Sequence, residues 1–217
     1  LCEKPLALTL KDADQMLSAA RQHSVKLYVA ENWSYTPLAR YLHEVVQTRQ
    51  YTGNIISVTG AFGFQAREFG YPGRRAWLTL PEQGGTGTWM LHGIHTIAQV
   101  RYIFGEITEV YALENRSPLT KRTDIEASVS VLMRLESGAM FSLLQTSEVR
   151  LEEDLWGYTI HGDSGSVRAG REACEIISDE TGWQRVHVPY PAAAYSDYAG
   201  EIAAFADYVL ADKPGPT

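Results

Sequence analysis

The stretch LCEKPLALTLKDADQMLSAARQHSVKLYVA (residues 1–30) decides the fold class, because it places three patterns in succession. Thr9, with Asp12 three residues later, has the pattern of a helix N-cap followed by an acidic residue in the first turn. Apolar residues then recur at helical spacing, which predicts a helix over residues 9–23. The run VKLYVA (25–30) is typical of a short buried strand. A strand, a helix and a strand in this order indicate an α/β unit.

After residue 33 the pattern predicts one more helix and then a series of strands. Pro37 suits the first position of a helix, an apolar stripe follows it, and Gly53 marks the predicted end. The period then changes from 3.6 to 2, and alternation on both sides of Ser137-Gly138 predicts a hairpin. We expect an antiparallel sheet of roughly six or more strands. The predicted strands cover about residues 56–64, 106–113, 125–135, 139–143, 158–161, 175–178 and 185–188, with another near 167, and a last helix covers about 198–210.

The composition of the 217 residues argues against several classes of protein. A formal net charge of -7 disfavours binding to nucleic acid, which requires clustered Lys and Arg. No apolar run approaches the roughly 18 residues that cross a bilayer, so we expect no membrane partner. Cys2 and Cys174 are too few for a disulfide framework and form no Cys-x-x-Cys motif, which favours a reducing, cytoplasmic location.

Two histidines, His92 and His95, lie close together in the stretch GGTGTWMLHGIHTIAQVRYIFG (84–105). On a helix they share a face, so a metal site is conceivable. Zinc needs at least one more ligand, and the other histidines and the cysteines have no ligand-like spacing, so we expect no metal. The glycines lack the Gly-Lys-Ser/Thr of a phosphate loop, and we expect them to let the backbone pass close to another element. On these residues alone, a histidine pair packed between helix and sheet is an equally good interpretation.

The tripeptide Glu3-Lys4-Pro5 lies where the first predicted strand gives way to a helix. Ligands of open α/β sheets bind beyond the carboxyl ends of the strands, which makes Lys4 a candidate for ligand contact. A solvated lysine in an ordinary strand-to-helix turn is the alternative, and the tripeptide alone does not decide between the two.

In their order and spacing, LCEKPLA, VAENWSYTP and GGTGTWMLHGIHTIAQVRYIFG resemble the Gfo/Idh/MocA family of NAD(P)-dependent oxidoreductases, and the resemblance spans the chain. It implies an α/β plus α+β fold. Residues 1–33 would be the end of a Rossmann dinucleotide-binding domain, most of which the fragment lacks. Residues 34–217 would form a substrate-binding and oligomerisation domain with an open, mostly antiparallel mixed sheet flanked by helices. The resemblance further implies NAD or NADP as cofactor, a sugar-like or cyclic polyol substrate, and a homo-oligomer formed through the open sheet face.

The same resemblance assigns roles to individual residues. Lys4 and His95 match the family's catalytic lysine and its acid/base histidine, and Gly93 matches the motif glycine. An ammonium can steady a developing oxyanion and an imidazole can exchange a proton near neutral pH, which suits these two roles. The predicted cofactor-binding residues are Glu3, Lys4, Pro5, Asn32 and Trp77, and the predicted substrate-binding residues are His92 and Tyr35.

The sequence departs from the family pattern at the two aspartate positions of the histidine motif, and it has Trp33 and Ser34 where the family often has basic residues. Leu91 and Ala98 stand where the family has aspartates, so we expect His95 to lack a carboxylate partner. Three hypotheses follow. The first is an oxidoreductase in which Lys4 stabilises the oxygen and His95 moves the proton. The second is a divergent, non-catalytic member that binds a carbohydrate-like ligand or serves assembly. A metal hydrolase that uses His92 and His95 is the third.

Overall fold

The first two strands and the helix between them form the α/β unit that the opening stretch predicts. Strands β1 (Cys2–Glu3) and β2 (Val29–Ala30) pair in parallel, and helix α1 (Leu10–Gln22) connects them. The Thr9 hydroxyl oxygen accepts the backbone N–H of Asp12 at 3.1 Å, as the N-cap pattern indicated. The structure is a computed structural model, and it describes residues 1–65, 77, 80–84, 87–116, 125–191 and 196–216.

A single 3-10 turn (Trp33–Tyr35) leads from β2 into helix α2 (Pro37–Thr48). Pro37 occupies the first turn of α2, as predicted, but the prediction that the helix continues to Gly53 is wrong. The helix stops at Thr48 because Arg49 adopts a left-handed conformation with φ of 57°, which ends the helical hydrogen bonding.

The described residues form one large sheet of eight strands in the order β10-β9-β8-β7-β3-β6-β5-β4. All neighbouring strands are antiparallel except β3 and β6, which run parallel. The predicted open, mostly antiparallel mixed sheet is therefore confirmed. The strands are β3 (Ile55–Gly63), β4 (Ile107–Asn115), β5 (Ser128–Leu135), β6 (Met140–Thr146), β7 (Gly157–Gly162), β8 (Gly165–Ala169), β9 (Ala173–Ser178) and β10 (Val186–Pro189).

Helices cover one face of this sheet and leave the other open. Two of them, α2 and α4 (Ile94–Phe104), contribute buried residues to the same apolar core as the inward-facing strand residues. In β5 the burial alternates residue by residue, so Val131 and Met133 face the core while Leu132 is 59% exposed. A short helix α3 (Pro81–Gly84) and the last helix α5 (Asp197–Ala211) complete the helices of the described ranges, and none of these is long and apolar enough to cross a membrane.

Helix α5 packs back onto the opening α/β unit. The ring of Tyr28 lies 5.8 Å from the rings of both Phe205 and Tyr208. Lys26 Nζ donates to the carbonyl oxygen of Tyr208 at 2.6 Å, near the C-terminal end of α5 where unsatisfied carbonyls favour a cation. These contacts hold the C-terminal half of α5 beside the amino end of β2.

The core predicts a large cost for shortening Leu42, which is 0% exposed on α2. We expect Leu42→Ala to lower the free energy of unfolding by about 2–5 kcal/mol, because it removes buried methyl groups and leaves a cavity. Urea unfolding measures the difference. The matched control is Leu10→Ala at a position that is 86% exposed, which should change the free energy by about 0.5 kcal/mol or less. Equal effects at the two positions would contradict the assigned core.

Candidate active site

Lys4 follows β1 and reaches across to the segment that carries the two histidines. Its Nζ donates to the carbonyl oxygen of Leu91 at 2.7 Å. Burial lowers the pKa of the Lys4 ammonium, and the carboxylates of Glu3 and Glu31 oppose that shift. The structure therefore holds a partly desolvated cation next to the histidine segment, which decides the tripeptide's interpretation against a freely solvated lysine.

The histidine segment begins with a π-helical turn (Trp89–Gly93) that runs directly into α4. The buried carboxylate of Glu126 accepts hydrogen bonds from the backbone N–H groups of Gly87 at 2.7 Å and Trp89 at 2.8 Å. These two hydrogen bonds fix the start of the turn. A Cβ at Gly87 would overlap the carbonyl oxygen of Glu126, so the glycine does allow a close backbone approach. The prediction of one regular α-helix through His92 and His95 is wrong, because the π turn precedes α4.

His95, in the first turn of α4, has a carboxylate partner. Its Nδ1 forms a short hydrogen bond with Oε1 of Glu31, at the carboxyl end of β2. The side chains are 10% and 4% exposed, so the pair is buried but the imidazole keeps a small accessible surface. The indole of Trp33 stacks on the imidazole, with ring centroids 5.0 Å apart and planes inclined by 13°. The prediction that the sequence changes at Leu91 and Ala98 leave His95 without a carboxylate is therefore wrong.

Glu31 is itself held by the 3-10 turn that follows it. Its Oε1 accepts the N–H of Trp33 at 3.1 Å, and its Oε2 accepts the N–H of Ser34 at 3.2 Å and the Ser34 hydroxyl at 3.0 Å. These donors satisfy a buried carboxylate that would otherwise be costly. Because a carboxylate of this kind only accepts, the His95 nitrogen that faces it carries the proton.

His92 lies against aromatic rings and against its neighbour. Its ring centroid is 4.3 Å from that of Phe64, 5.1 Å from that of Trp33 and 5.9 Å from that of His95. Burial, and to a smaller extent the nearby His95, Lys4 and Arg171, lower the pKa of His92 to about 3. The imidazole is neutral near pH 7, so it can form hydrogen bonds but does not supply a proton there.

Asn32 and Tyr35 precede and follow Trp33 in the sequence, and the side chains of both lie beside α5. Asn32 Nδ2 donates to the Asp197 carboxylate at 2.8 Å. The buried Tyr35 hydroxyl forms a short hydrogen bond with the hydroxyl of Tyr28, and its side chain lies close to Gly200 of α5. These contacts fix the 3-10 turn, and the predicted cofactor role of Asn32 and substrate role of Tyr35 stay predictions.

Of the other predicted cofactor residues, Glu3 and Pro5 are the sequence neighbours of Lys4, whereas Trp77 lies in a different segment. Glu3 is the exposed end of β1, and Pro5 follows Lys4 through a cis peptide bond. Trp77 is 47% exposed, and most residues next to it in sequence lie outside the described ranges. The structure brings Lys4, His92 and His95 together, while a role for Trp77 stays a prediction.

Sequence reasoning missed three residues of this site: Glu31, Trp33 and Glu126. A signal existed for Glu31, because it follows β2 directly and β2 is parallel to β1, so its side chain starts from the same sheet edge as Lys4. No local pattern links Glu126 to a turn 37 residues earlier. Within the ranges that the structure describes, no group of three or more His, Cys, Asp or Glu side chains is arranged to hold a metal ion.

Comparison with known proteins gives consistent matches. A family model described as the GFO/IDH/MocA C-terminal domain matches residues 40–168. The chain is 26% identical to the uncharacterized oxidoreductase YrbE of Bacillus subtilis (strain 168), covering 99% of this chain and 62% of that protein. It is 28% identical to 1,5-anhydro-D-fructose reductase of Ensifer adhaerens, covering 77% and 48% of the two chains. The aldose-aldose oxidoreductase structure from Caulobacter crescentus, complexed with glycerol, has a TM-score of 0.81 at 20% identity, over 98% of this chain and 62% of that one. The chain thus spans less than two thirds of these proteins.

The neutral state of His92 predicts a pH-dependent loss of stability. Between pH 6.5 and about 3 the unfolded chain binds a proton at this imidazole and the folded chain does not, so stability falls as the pH is lowered through this window. We expect His92→Phe to lose less stability than the parent between about pH 7 and about pH 5. Urea unfolding at the two pH values measures this, with the exposed His187→Phe as control. Parallel losses in parent and His92→Phe would contradict the prediction.

Proposed function

Because this chain belongs to the GFO/IDH/MocA family, we propose that it forms part of a nicotinamide-dependent oxidoreductase. The reaction is the transfer of a hydride between NAD or NADP and a secondary alcohol or ketone of a sugar-like or cyclic polyol substrate. Residues 1–33 are the end of the Rossmann dinucleotide-binding domain in this proposal, and residues 34–217 are the substrate-binding and oligomerisation domain. The relative named 1,5-anhydro-D-fructose reductase supports the substrate class.

The convergence of Lys4 and His95 is the observation that carries this proposal. The Lys4 ammonium is held at the segment leading into α4 by its 2.7 Å hydrogen bond to Leu91, and His95 lies in the first turn of that helix. In the oxidation direction, the substrate hydroxyl gives its proton to Nε2 of His95. The carbon that bears this hydroxyl gives up a hydride, and a C=O bond forms between the carbon and the oxygen. The Lys4 ammonium stabilises the negative charge that develops on the oxygen. Reduction reverses each transfer.

The sheet edge that carries Lys4 fits the nicotinamide end of the cofactor. Strands β1 and β2 are parallel, so their carboxyl ends open at one edge, which is where dinucleotides bind in α/β sheets. A bound nicotinamide supplies the hydride acceptor or donor. The residues proposed to hold it are Glu3, Lys4, Pro5, Asn32 and Trp77.

The structure removes the main support for the alternative hypotheses. The non-catalytic hypothesis depended on an imidazole without a carboxylate, and Glu31 provides one. A hydrolytic metal site would need more ligands than His92 and His95, and the described residues contain no such group. The oxidoreductase is therefore the function that the geometry supports best.

We also propose a homo-oligomer that forms through the open sheet face and a cytoplasmic location. The open face consists of outward side chains of three adjacent strands that are exposed although apolar: Tyr111, Leu113, Leu132, Met140 and Leu144. Exposed apolar patches of this kind mark interaction surfaces. The Glu109–Arg134 ion pair at 3.2 Å gives the face both signs of charge, so a second copy related by a two-fold axis can complement it. The free thiols of Cys2 and Cys174 support a reducing compartment.

The proton-transfer role predicts the effect of His95→Ala in the full-length protein. We expect kcat to fall by about 10²–10⁴-fold, because the substrate hydroxyl loses its acid/base partner. Binding of NADH or NADPH, followed by tryptophan fluorescence, should stay unchanged. Rates are measured with 1,5-anhydro-D-fructose, myo-inositol and related sugars, and the control variant is His187→Ala on the exposed edge strand. Full activity of His95→Ala would contradict the proposed function.

The open sheet face predicts that Leu132→Glu dissociates the oligomer. A carboxylate at the centre of the face would be buried without a partner in the interface, which is costly. Light scattering coupled to size exclusion should show a smaller mass than that of the parent, with an unchanged circular dichroism spectrum. Leu10→Glu on α1 is the control and should keep the parent's mass. A monomeric parent, or an undissociated Leu132→Glu variant, would contradict this use of the face.

A further inference from the structure

We propose that Glu31 is the positioning residue for His95, and that it replaces functionally the motif aspartate that the sequence lacks at Leu91. The inference rests on the proposed function, since it assigns a role within that site. Its basis is geometric: the carboxylate of Glu31 and Nδ1 of His95 form a short, buried hydrogen bond between the end of β2 and the start of α4. The partner comes from a different element than the helix that carries the imidazole.

The surroundings of Glu31 require a carboxylate at this position. Backbone N–H groups donate to both of its oxygens, that of Trp33 to Oε1 and that of Ser34 to Oε2. A glutamine would place its NH₂ group against one of these donors in either orientation, because an amide has only one accepting oxygen. The 3-10 turn therefore holds a rigid group that only accepts a hydrogen bond from His95, whereas an amide could either accept or donate one.

This fixed acceptor determines which imidazole nitrogen is available to substrate. With Nδ1–H donating to Glu31, the neutral ring keeps its lone pair on Nε2, the nitrogen on the opposite side. Trp33 stacks on the ring, with the ring centroids 5.0 Å apart, and prevents the imidazole from turning out of plane. Gln99 Nε2 in turn donates a hydrogen bond to the Trp33 carbonyl oxygen at 2.9 Å. The ring is thus oriented by one hydrogen bond and one stacking contact, both from the segment that follows β2.

Glu31 also acts on Lys4, and an experiment can separate this effect from the effect of Glu31 on His95. The carboxylate raises the pKa of Lys4 through space, against the effect of burial, whereas it touches His95 directly. An effect that passes through His95 disappears when the imidazole is absent, but an effect through Lys4 or through the fold persists. Other charged or titratable groups near the pair are Glu3, His92, Tyr158, Asp197 and Glu201.

A double-mutant cycle in the full-length protein tests the proposed route. We expect Glu31→Gln to lower kcat by about 10²-fold, at the low end of what a positioned acid/base contributes, with little change in NADH binding. In the His95→Ala background the same substitution should change kcat by less than about two-fold. Full additivity of the two losses would overturn the assignment. Full activity of His95→Ala alone would instead count against the proposed function, so the two failures are distinguishable.

A second measurement needs no substrate and reports on the tautomer directly. In protein with ¹⁵N-labelled histidine, at a pH where the ring is neutral, the His95 signals should show a protonated Nδ1 and an unprotonated Nε2. Glu31→Gln should redistribute the proton between the two nitrogens. The matched control is Glu126→Gln, since Glu126 is also buried and receives two backbone N–H groups but has no hydrogen bond to His95. A proton on Nε2 in the parent, or the same redistribution in Glu126→Gln, would overturn the proposal even if Glu31→Gln fails to fold.

Discussion

The buried carboxylate of Glu31 is the constraint on which the site depends. An unpaired charge at this depth would be costly, so the residues around it are arranged as donors. The 3-10 turn offers two backbone N–H groups and the Ser34 hydroxyl, and α4 offers the imidazole of His95. One side chain thereby joins the opening α/β unit to a helix of the large sheet domain. Helix α5 secures the same turn from another side through Asp197 and Asn32.

Local patterns were sufficient to predict most elements of the fold. Helix α1 and the β5–β6 hairpin follow from an N-cap, a helical stripe and a period of 2 around a Ser-Gly turn, all of which act between near neighbours. The parallel pairing of β3 with β6 could not be predicted in this way. Ser57 pairs with Met140, and no periodicity within either strand specifies that register. The end of α2 was mispredicted because a left-handed Arg49, rather than a glycine, stops the helix.

The site was half predictable, and the missing half has a physical cause. The proximity of Lys4 to the histidine segment agrees with the family resemblance, which assigned catalytic roles to Lys4 and His95 on the basis of their short motifs. The expectation that His95 lacks a carboxylate considered only positions 91 and 98, because side chains three or four residues apart meet on a helix. The chain supplies it from 64 residues upstream instead. The π turn before α4 also alters the side-chain directions that a regular helix would give, and the carbonyl oxygen of Leu91 becomes the anchor for Lys4.

The origin of the carboxylate has a consequence for how the site works as a unit. An aspartate at position 91 would orient the imidazole from the π turn that leads into α4, independently of the opening unit. Glu31 orients it from the end of β2, beside the strand that positions Lys4. The ammonium and the imidazole are therefore both positioned by residues at one sheet edge, and this is the edge proposed to receive the nicotinamide. A shift between this edge and α4 would break the Lys4–Leu91 and Glu31–His95 hydrogen bonds together, so Lys4 and His95 are brought together only when the two parts of the chain are correctly docked.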